Sequence, residues 1–271
     1  MSGAAGVSRG SVRASSGHSR RAYELVRARI RSGWVPANGV LIENELIHLT
    51  GLPRASIRQA LNRLADEGLI ARQRHSGTRV LGEQYRIPVD DILPSHTPPG
   101  FMYRKLSDRV VPMIPLVQAA LECDEAEVGV VEQVFEHVTA DGAEPVGVRT
   151  AYYRPGIHQP ESWPTCPSLE FAFRYVFGVA LGDVETVIGA VAADDDAAAL
   201  LHIPVGMPLL VREQRFIDVA GVVQEYSFSH YRADRVSFPL RDRTGRFSGV
   251  LAAEPGTPEL VAYRERALSV Q

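Results

Sequence analysis

A basic, hydrogen-bonding segment near the N-terminus holds the residues whose types and spacing best fit a chemical task. Its polar side chains are Arg54, Ser56, Arg58, Gln59 and Arg63. Apolar residues recur around them at helical spacing, with a break at Gly51, which is the pattern of two short helices packed on each other. The second helix therefore keeps a cationic face free. An α-helix fits the major groove of DNA, where an arginine can donate two hydrogen bonds to the edge of a guanine.

The segments on either side of this helix predict a winged helix-turn-helix. A first helix is expected over Ser19–Arg31, with Ser19 as its N-cap, and a short second one over Glu43–Leu49. After Gly68, residues 69–80 have the pattern of a two-stranded hairpin that turns at Ser76-Gly77. Helix, turn, helix and basic hairpin, in that order, indicate a DNA-binding module.

Individual side chains of this module have different expected roles. Arg58, in the middle of the basic helix, is predicted to read guanine by a bidentate contact to O6 and N7. Arg54, at the helix start, could read a base or clamp a phosphate, since backbone N–H groups favour anions there. Ser56 is predicted to position a phosphate. The other predicted DNA contacts are Gln59 and the wing-tip residues His75, Ser76 and Gly77. For any single arginine, a solvated surface charge is the alternative.

Charge is divided unevenly along the chain. Residues 1–81 contain 13 arginines and 5 acidic residues, a net charge of +8, whereas the whole chain carries −3, so residues 82–271 carry −11. A basic N-terminal part on an acidic remainder fits a phosphate-binding module joined to a body that does not touch DNA. Charge scattered only for solvation is the alternative.

Composition excludes several other classes of protein. No apolar run approaches the roughly 20 residues that span a bilayer, and the first twenty residues lack the apolar block of a secretory signal. Cys123 and Cys166 are too few for a disulfide framework, and neither stands at metal-ligand spacing with another Cys or His. We expect a cytoplasmic protein without metal or cofactor. The acidic run 194–196 is expected to open a helix, whose dipole favours negative charge there.

From Phe101 onward, long alternating runs replace the helical period. Strands are predicted over Val128–Thr139, Pro145–Tyr153, Val184–Val191, Met207–Asp218, Val222–Arg232 and Arg235–Leu240. Helices are predicted over Leu116–Cys123, Ser168–Phe177 and Asp194–His202. Strands with interspersed helices indicate an α+β domain on an antiparallel sheet. The prolines at 88, 94, 98 and 99 precede it and predict a semi-stiff linker.

The N-terminal residues resemble the signature of the GntR family of bacterial repressors. Its first block is fitted by Ile30, Gly33, Leu41, Glu43 or Glu45, and Leu46. Its second is fitted by Arg54, Ser56, Ile57, Arg58, Ala60, Leu61, Leu64, Glu67 and Gly68, and its third by Gly77, Thr78 and Val80. Pro53 and His75 depart from the signature, at a helix cap and at the first glycine of the wing. The resemblance also implies a phosphate contact for Asn44, which stands where the family often has an arginine.

The body resembles the UTRA effector domain of the HutC-type branch of that family. Matching residues, spread between Val110 and Leu240, include A-D-G at 140–142, G-M-P-L-L at 206–210, Glu225 and Y-R-A-D-R at 231–235. The family's fold is shared with chorismate lyase, in which sheet and helices enclose a small-molecule cavity. The resemblance therefore implies that a metabolite binds in the body and alters the affinity for DNA.

The residues aligned with the family's ligand pocket predict the class of effector. Glu136 and Val138 replace two arginines that grip anions by bidentate bonds, and Arg149 replaces an acid, which argues against a sugar phosphate. Glu136 and Arg149 could pair across the hairpin, in the pocket or on the surface. Glu225 and Tyr231 fall on one strand face, where Glu225 could bind a hydroxyl or ammonium group or be structural, and Tyr231 could cap the cavity. We expect a neutral, polyhydroxylated or cationic effector.

These patterns divide the chain into five parts. They are a disordered leader at 1–18, a winged helix-turn-helix domain at 19–81, a linker at 82–100, an effector-binding and dimerisation domain at 101–255, and a tail at 256–271. The favoured function is a ligand-responsive homodimeric repressor whose two DNA-binding domains read a palindromic double-stranded operator. An enzyme of the chorismate lyase type fused to a DNA-binding domain, and a regulator whose body only dimerises, are the alternatives.

Overall fold

The N-terminal domain is a winged helix-turn-helix, as predicted. The computed structural model of the 271-residue chain describes residues 9–73, 77–82, 84–89, 101–139, 142–157, 162–164 and 169–239. In this domain they form α1 (Arg9–Arg31), β1 (Val40–Leu41), α2 (Glu43–Thr50), α3 (Arg54–Asp66), β2 (Ile70–Gln73) and β3 (Gly77–Val80). The strands pair antiparallel in the order β1-β3-β2 and make the wing.

The helices of this domain pack through apolar stripes at helical spacing. Ala22, Val26 and Ile30 recur every four residues on α1 and are at most 1% exposed. They share one buried cluster with Ile57 and Leu61 of α3. Because one face of α3 is buried in this way, its opposite face is left for solvent or a ligand.

The first helix is longer than predicted. It begins at Arg9 rather than near Ser19, so the prediction of a disordered leader is wrong for residues 9–18, and Ser19 is not an N-cap. The prediction depended on apolar periodicity, which starts only at Ala22, where the helix joins the core. No proline interrupts the preceding segment, and its arginine and alanine residues favour a helix, although Gly10, Gly17 and the serines do not.

The C-terminal domain is built on a seven-stranded antiparallel sheet. Its elements are β4 (Tyr85–Arg86), β5 (Phe101–Pro112), α4 (Pro115–Leu121), β6 (Glu127–Thr139), β7 (Gly142–Tyr153), β8 (Ser162–Pro164), α5 (Leu169–Phe177), β9 (Leu181–Ala192), α6 (Asp195–Leu201), β10 (Pro208–Asp218), β11 (Val223–Arg232) and β12 (Val236–Ser237). The sheet order is β8-β5-β6-β7-β11-β10-β9, with every neighbouring pair antiparallel. The predicted α+β class is confirmed; β4, β5 and β8 were not predicted.

Helices cover both faces of this sheet. Phe173 and Phe177 of α5 pack with Phe216 of β10 on one face. α4 packs in a cluster around Val130, and α6 packs in one around Leu209. Neighbouring residues of a strand point to opposite sides, so the register places these two clusters on the face opposite Phe216.

The acidic run opens α6, as predicted. Asp194 is the N-cap, and its Oδ1 accepts a hydrogen bond from the backbone N–H of Ala197 at 2.8 Å. Asp195 and Asp196 occupy the first turn, where the helix dipole favours negative charge. Over the described ranges, no group of His, Cys, Asp and Glu side chains is arranged to hold a metal ion. In the same ranges no helix combines the length and the apolar character needed to cross a membrane.

Part of the predicted linker belongs to the C-terminal domain. β4 pairs in parallel with β12, and Tyr85 and Ile87 are buried. Arg212 donates a hydrogen bond to the carbonyl oxygen of Pro88 at 3.2 Å, and Gln214 donates one to that of Val89 at 3.4 Å. The linker prediction for 82–100 is therefore wrong for residues 84–89, because pairing with a strand so distant in sequence leaves no local signal. Residues 90–100 and the predicted boundary at 255 lie outside the described residues.

Candidate DNA-binding surface and ligand cleft

A tight turn after α2 positions α3. Gly51 has a left-handed backbone with φ 66°, and its N–H donates to the carbonyl oxygen of Ile47 at 2.9 Å, which ends α2. Pro53 stands at the N-cap of α3, with no side-chain cap hydrogen bond. A proline there gives up no helical hydrogen bond, since the first N–H groups of a helix have no partner within it. The exposed face of α3 therefore begins directly at Arg54.

Three arginines converge on Glu43 at the start of α2. Arg58 Nε lies 3.0 and 3.2 Å from the two carboxylate oxygens, and Arg54 Nη1 lies 3.3 Å from one of them. Arg72 of β2 approaches to 3.9 Å. The side chains of Arg54 and Arg58 are 57% and 59% exposed, against 21% for Glu43. Exposed guanidinium groups on one helix face suit phosphate oxygens or guanine edges.

Two further predicted DNA contacts are exposed beside this arginine cluster of Arg54, Arg58 and Arg72. The Asn44 Oδ1 accepts a hydrogen bond from Arg54 Nη2 at 2.8 Å. Gln59 is exposed on α3, and its Oε1 accepts from the hydroxyl of Ser19 at 2.5 Å. Both amides therefore sit where DNA could reach them, and their contacts with DNA stay predictions.

The remaining predicted DNA contacts divide into three cases. Gly77 opens β3 in an exposed position with φ 83°, a conformation that favours glycine. Ser56 is only 5% exposed and lies at the edge of the buried face of α3. Its predicted phosphate contact is therefore wrong, because its position turns the residue toward the core. His75 and Ser76 lie outside the described residues.

A small, partly open cleft lies between α5 and the sheet. One wall is apolar and comes from α5, through Leu169, Ala172, Phe173, Val176 and Phe177. The sheet contributes Tyr103 and Phe216 together with three polar side chains, those of Gln133, Arg149 and Glu225. An apolar lining with a few convergent polar groups is typical of a site for a small organic molecule.

Arg149 and Glu225 form an ion pair in the cleft. Their side chains are only 11% and 5% exposed. Arg149 Nη1 also donates to the Oε1 of Gln133 at 2.7 Å. Burial lowers the pKa of Arg149, but the charge and hydrogen bond of Glu225 together with Tyr103 and Tyr231 raise it, so the pKa is raised overall. The positive charge of Arg149 and the negative charge of Glu225 cancel, so the residues that line the cleft carry no net charge.

Glu136 pairs with Arg104 rather than with Arg149. Arg104 Nε and Nη2 lie 2.9 and 3.2 Å from the two Glu136 carboxylate oxygens. In the hairpin register, Gln133 stands opposite Arg149, and a bulge between Phe135 and Glu136 shifts the residues beyond it. Glu136 does not line the cleft. Both its predicted pairing and its predicted place in the pocket are therefore wrong.

Glu225 and Tyr231 lie on the same face of β11, as predicted, but only Glu225 lines the cleft. Tyr231 is 1% exposed, and its hydroxyl lies 3.2 Å from that of Tyr103 and accepts from Arg212 Nη2 at 2.8 Å. The prediction that Tyr231 caps the cavity is wrong, because its side chain is buried and does not line the cleft, whereas that of Tyr103 does. Burial raises the pKa of Tyr103 well above its usual value, with a further contribution from Tyr231, so its hydroxyl stays protonated.

Sequence reasoning missed several lining residues for different reasons. Gln133 had a detectable signal, because it is polar at an inward position between the buried residues Val131 and Phe135. Tyr103 had none, since β5 is irregular between residues 105 and 107 and does not alternate cleanly. Phe173 reads like any core residue of an amphipathic helix.

Comparison with known families matches both domains. Residues 18–80 match the family described as bacterial regulatory proteins of the gntR family, and residues 165–237 match the UTRA domain. Residues 18–80 are thus similar to the DNA-binding domain of the gntR family, and residues 165–237 are similar to a UTRA domain. The gntR match contains the arginine cluster, and the UTRA match contains Glu225 and the apolar wall of the cleft.

One curated protein and one solved structure are similar to most of this chain. The chain is 27% identical over 259 residues to the HTH-type transcriptional regulator Rv0792c of Mycobacterium tuberculosis, across 90% of this chain and 93% of that protein. The crystal structure of PhnF from Mycobacterium smegmatis is similar with a TM-score of 0.53 and 22% identity, covering 82% of this chain and 99% of that one, which shows a shared fold. These matches support a transcriptional regulator with a DNA-binding domain and an effector domain.

Proposed function

We propose that this regulator is a repressor of the HutC-type branch, which binds palindromic DNA as a homodimer and changes its DNA affinity when a metabolite fills the cleft. The observation that carries the proposal is the exposed pair Arg54 and Arg58 on one face of α3. The unequal charge of the two parts of the chain supports it, since a basic domain attracts phosphates that an acidic one repels.

The winged helix-turn-helix geometry supports a symmetric mode of binding. In this architecture the recognition helix enters the major groove, and two copies read half-sites about one helical turn apart, so the site mirrors the two-fold axis of the dimer. α3 is the recognition helix by this argument, because it presents the arginine cluster. We propose Arg58 as the base reader, with Arg54, Asn44, Gln59 and Gly77 as further contacts.

Selection of bound sites from random DNA by the full chain tests this function. We expect the recovered sites to share an inverted repeat. For one recovered duplex, the logarithm of the association constant should fall linearly with the logarithm of the salt concentration, because bound arginines release counterions from phosphates. Absence of salt-sensitive affinity for every duplex would refute the proposal. A recovered site without inverted symmetry would refute only the palindromic mode.

The chemistry of the cleft supports an uncharged effector. Arg149 and Glu225 already neutralise each other, so neither a phosphate nor an ammonium group would find an unpaired opposite charge there. The α5 wall favours a ligand with an apolar flank, and Gln133 offers a hydrogen-bonding amide on the opposite side. Ser227, on the same sheet face, has a buried hydroxyl with no hydrogen-bond partner in the described part of the chain. We therefore favour the neutral member of the effector classes that the sequence predicts.

A thermal-shift screen tests the class of effector. The panel pairs sugar phosphates with the corresponding free sugars and adds uncharged amphipathic compounds. We expect uncharged compounds to raise the Tm, because a ligand at 100 times its Kd stabilises the folded state by about 2.7 kcal/mol. Sugar phosphates should leave the Tm unchanged. A rise with sugar phosphates but not with uncharged compounds would contradict the proposal.

A chain of hydrogen bonds leads from the cleft to the segment that follows the DNA-binding domain in sequence. Tyr103 lines the cleft and contacts the hydroxyl of Tyr231 at 3.2 Å. Arg212 donates to Tyr231 at 2.8 Å and to the carbonyl oxygen of Pro88 at 3.2 Å. Pro88 belongs to the segment that follows the DNA-binding domain. A ligand that displaces Tyr103 would therefore disturb this segment, which supports coupling between metabolite and DNA affinity.

The variant Tyr231→Phe tests this coupling with any compound that raises the Tm in the screen. It removes one hydroxyl and keeps the ring, so the compound should raise the Tm of the variant as it does for the parent. The change in DNA affinity caused by the compound should shrink, because the connection between Tyr103 and Arg212 is broken. An unchanged effect on DNA affinity would show that the signal takes another route.

A further inference from the structure

We propose that Glu43 is a positioning residue for DNA recognition, which orients Arg58 toward the bases and so sets sequence specificity. The inference rests on the proposed binding of DNA by α3. Glu43 is an acidic side chain in the middle of a cationic surface. A surface that only bound phosphates would not gain from it, because a carboxylate repels phosphate.

The contacts of Arg58 support this role. Its Nε donates to both carboxylate oxygens of Glu43, at 3.0 and 3.2 Å. Its two Nη groups make no hydrogen bond within the described residues. Bidentate reading of guanine O6 and N7 takes two N–H groups from one planar guanidinium. Glu43 thus holds Arg58 by one edge of the guanidinium and leaves other N–H groups available for a base.

Arg54 is held in a different way by the same carboxylate. Its Nη1 donates to Glu43 at 3.3 Å and its Nη2 donates to Asn44 at 2.8 Å. Both terminal nitrogens are therefore engaged within the domain. The contacts of Glu43 distinguish the two arginines, and only Arg58 keeps both terminal groups free for recognition.

The position of Glu43 suits a fixed support. It lies in the first turn of α2, where the helix dipole favours a carboxylate, and its side chain is only 21% exposed. Arg54 and Arg58 are four residues apart on α3, a spacing at which like charges repel. The carboxylate offsets this repulsion and also that from Arg72, which approaches Glu43 to 3.9 Å.

A negative charge beside DNA has a second, opposite consequence. It repels phosphates, so it weakens binding to DNA of any sequence. If Glu43 orients Arg58, the same residue strengthens discrimination between the selected site and random DNA. Removing its charge should therefore strengthen binding to random DNA and weaken the preference for the selected site. A loss of fold or a general loss of binding would weaken both affinities.

The experiment compares three variants of the full chain with the parent protein. Glu43→Gln removes the charge at nearly constant shape. Glu43→Asp keeps the charge and shortens the reach. Glu45→Gln is the matched control, because it makes the same charge change on the same helix, and Glu45 is exposed and makes no ion pair within the described ranges. The Kd is measured at one salt concentration for a site selected from random DNA and for a random duplex of equal length.

We expect Glu43→Gln to tighten binding to the random duplex by roughly two- to five-fold, since one repulsive charge is lost. The ratio of the random-duplex Kd to the selected-site Kd should fall by about 3- to 10-fold, as when one bidentate base contact is misaligned. Glu43→Asp should lower this ratio without tightening random binding. Glu45→Gln should leave the ratio unchanged.

Two results would overturn the inference while the proposed function stands. One is an equal ratio for Glu43→Gln and Glu45→Gln, which would make Glu43 a simple charge. The other is a Kd ratio for Glu43→Asp equal to that of the parent protein, because this variant keeps the charge and changes only the reach of the side chain. An unchanged Tm for Glu43→Asp would show that the variant is folded. A parent protein with no preference for the selected site would instead refute the proposed function itself.

Discussion

Replacing Glu225 by alanine is expected to lower the free energy of unfolding by about 3–5 kcal/mol, the usual cost of removing one partner from a buried ion pair. The remaining Arg149 would keep its charge at 11% side-chain exposure, with Gln133 as its other polar partner in the cleft. Calorimetric unfolding of the full chain measures the change. Because the chain has two domains, we expect the loss to affect the transition of the C-terminal domain.

Two controls separate burial from charge. Glu132 pairs with Arg109 on the same sheet, but their side chains are 41% and 51% exposed. Glu132→Ala should therefore cost at most about 1 kcal/mol. A double variant, Arg149→Met with Glu225→Leu, should recover most of the stability, since apolar residues often replace a buried pair without loss. If Glu225→Ala cost no more than Glu132→Ala, the pair would not be buried as described.

Arg58→Ala should weaken binding to a selected DNA site by about 1–3 kcal/mol and relax the base preference at one position in each half-site. The reason is the loss of a guanidinium that is 59% exposed and has its terminal nitrogens available. Titration of the parent site and of every single-base variant at the affected position measures both effects. A loss equal for all sequences would show that Arg58 only holds a phosphate.

Arg63→Ala is the matched control for this experiment. Arg63 is on the same helix and is 61% exposed, but it pairs with Glu67 at 3.1 Å and lies over the ring of Tyr23 from α1. Arg63→Ala removes one positive charge, as Arg58→Ala does, but from a side chain that already contacts Glu67 and Tyr23. We therefore expect a small loss that is uniform across sequences, with the base preference intact.

The DNA-binding domain could be predicted almost completely because its signals are local. The apolar spacing around Ile57 and Leu61, the break at Gly51 and the turn residues before Val80 each determine a nearby element. The start of α1 could not be found in this way, because its first residues precede the packed stripe that begins at Ala22. The burial of Ser56 was also missed, since a small polar residue at the edge of a helical stripe gives no sign of its orientation.

In the C-terminal domain, the sequence predicted most strands but not which side chains meet. Alternation of apolar and polar residues identifies a strand, but it does not show which distant segment of the chain pairs with that strand. Arg149 meets Glu225 of β11, 76 residues away, rather than Glu136 of the adjacent strand. In the hairpin, Gln133 stands opposite Arg149 and Glu136 stands opposite Pro145, so the register does not place Glu136 across from Arg149. The cleft therefore followed from topology, and only Glu225 and Arg149 of its lining were predicted.

The parallel pairing of β4 with β12 determines where the chain can be divided to obtain an intact C-terminal domain. The first and last described strands of the C-terminal domain are neighbours, so its two ends leave from almost the same point. A fragment begun at Phe101 would lack Tyr85 and Ile87, and it would leave the aromatic surface around Tyr231 uncovered. The domain boundary best suited to truncation lies near Gly82. A fragment that begins there keeps β4, so the whole C-terminal domain can be exchanged between proteins at this one position.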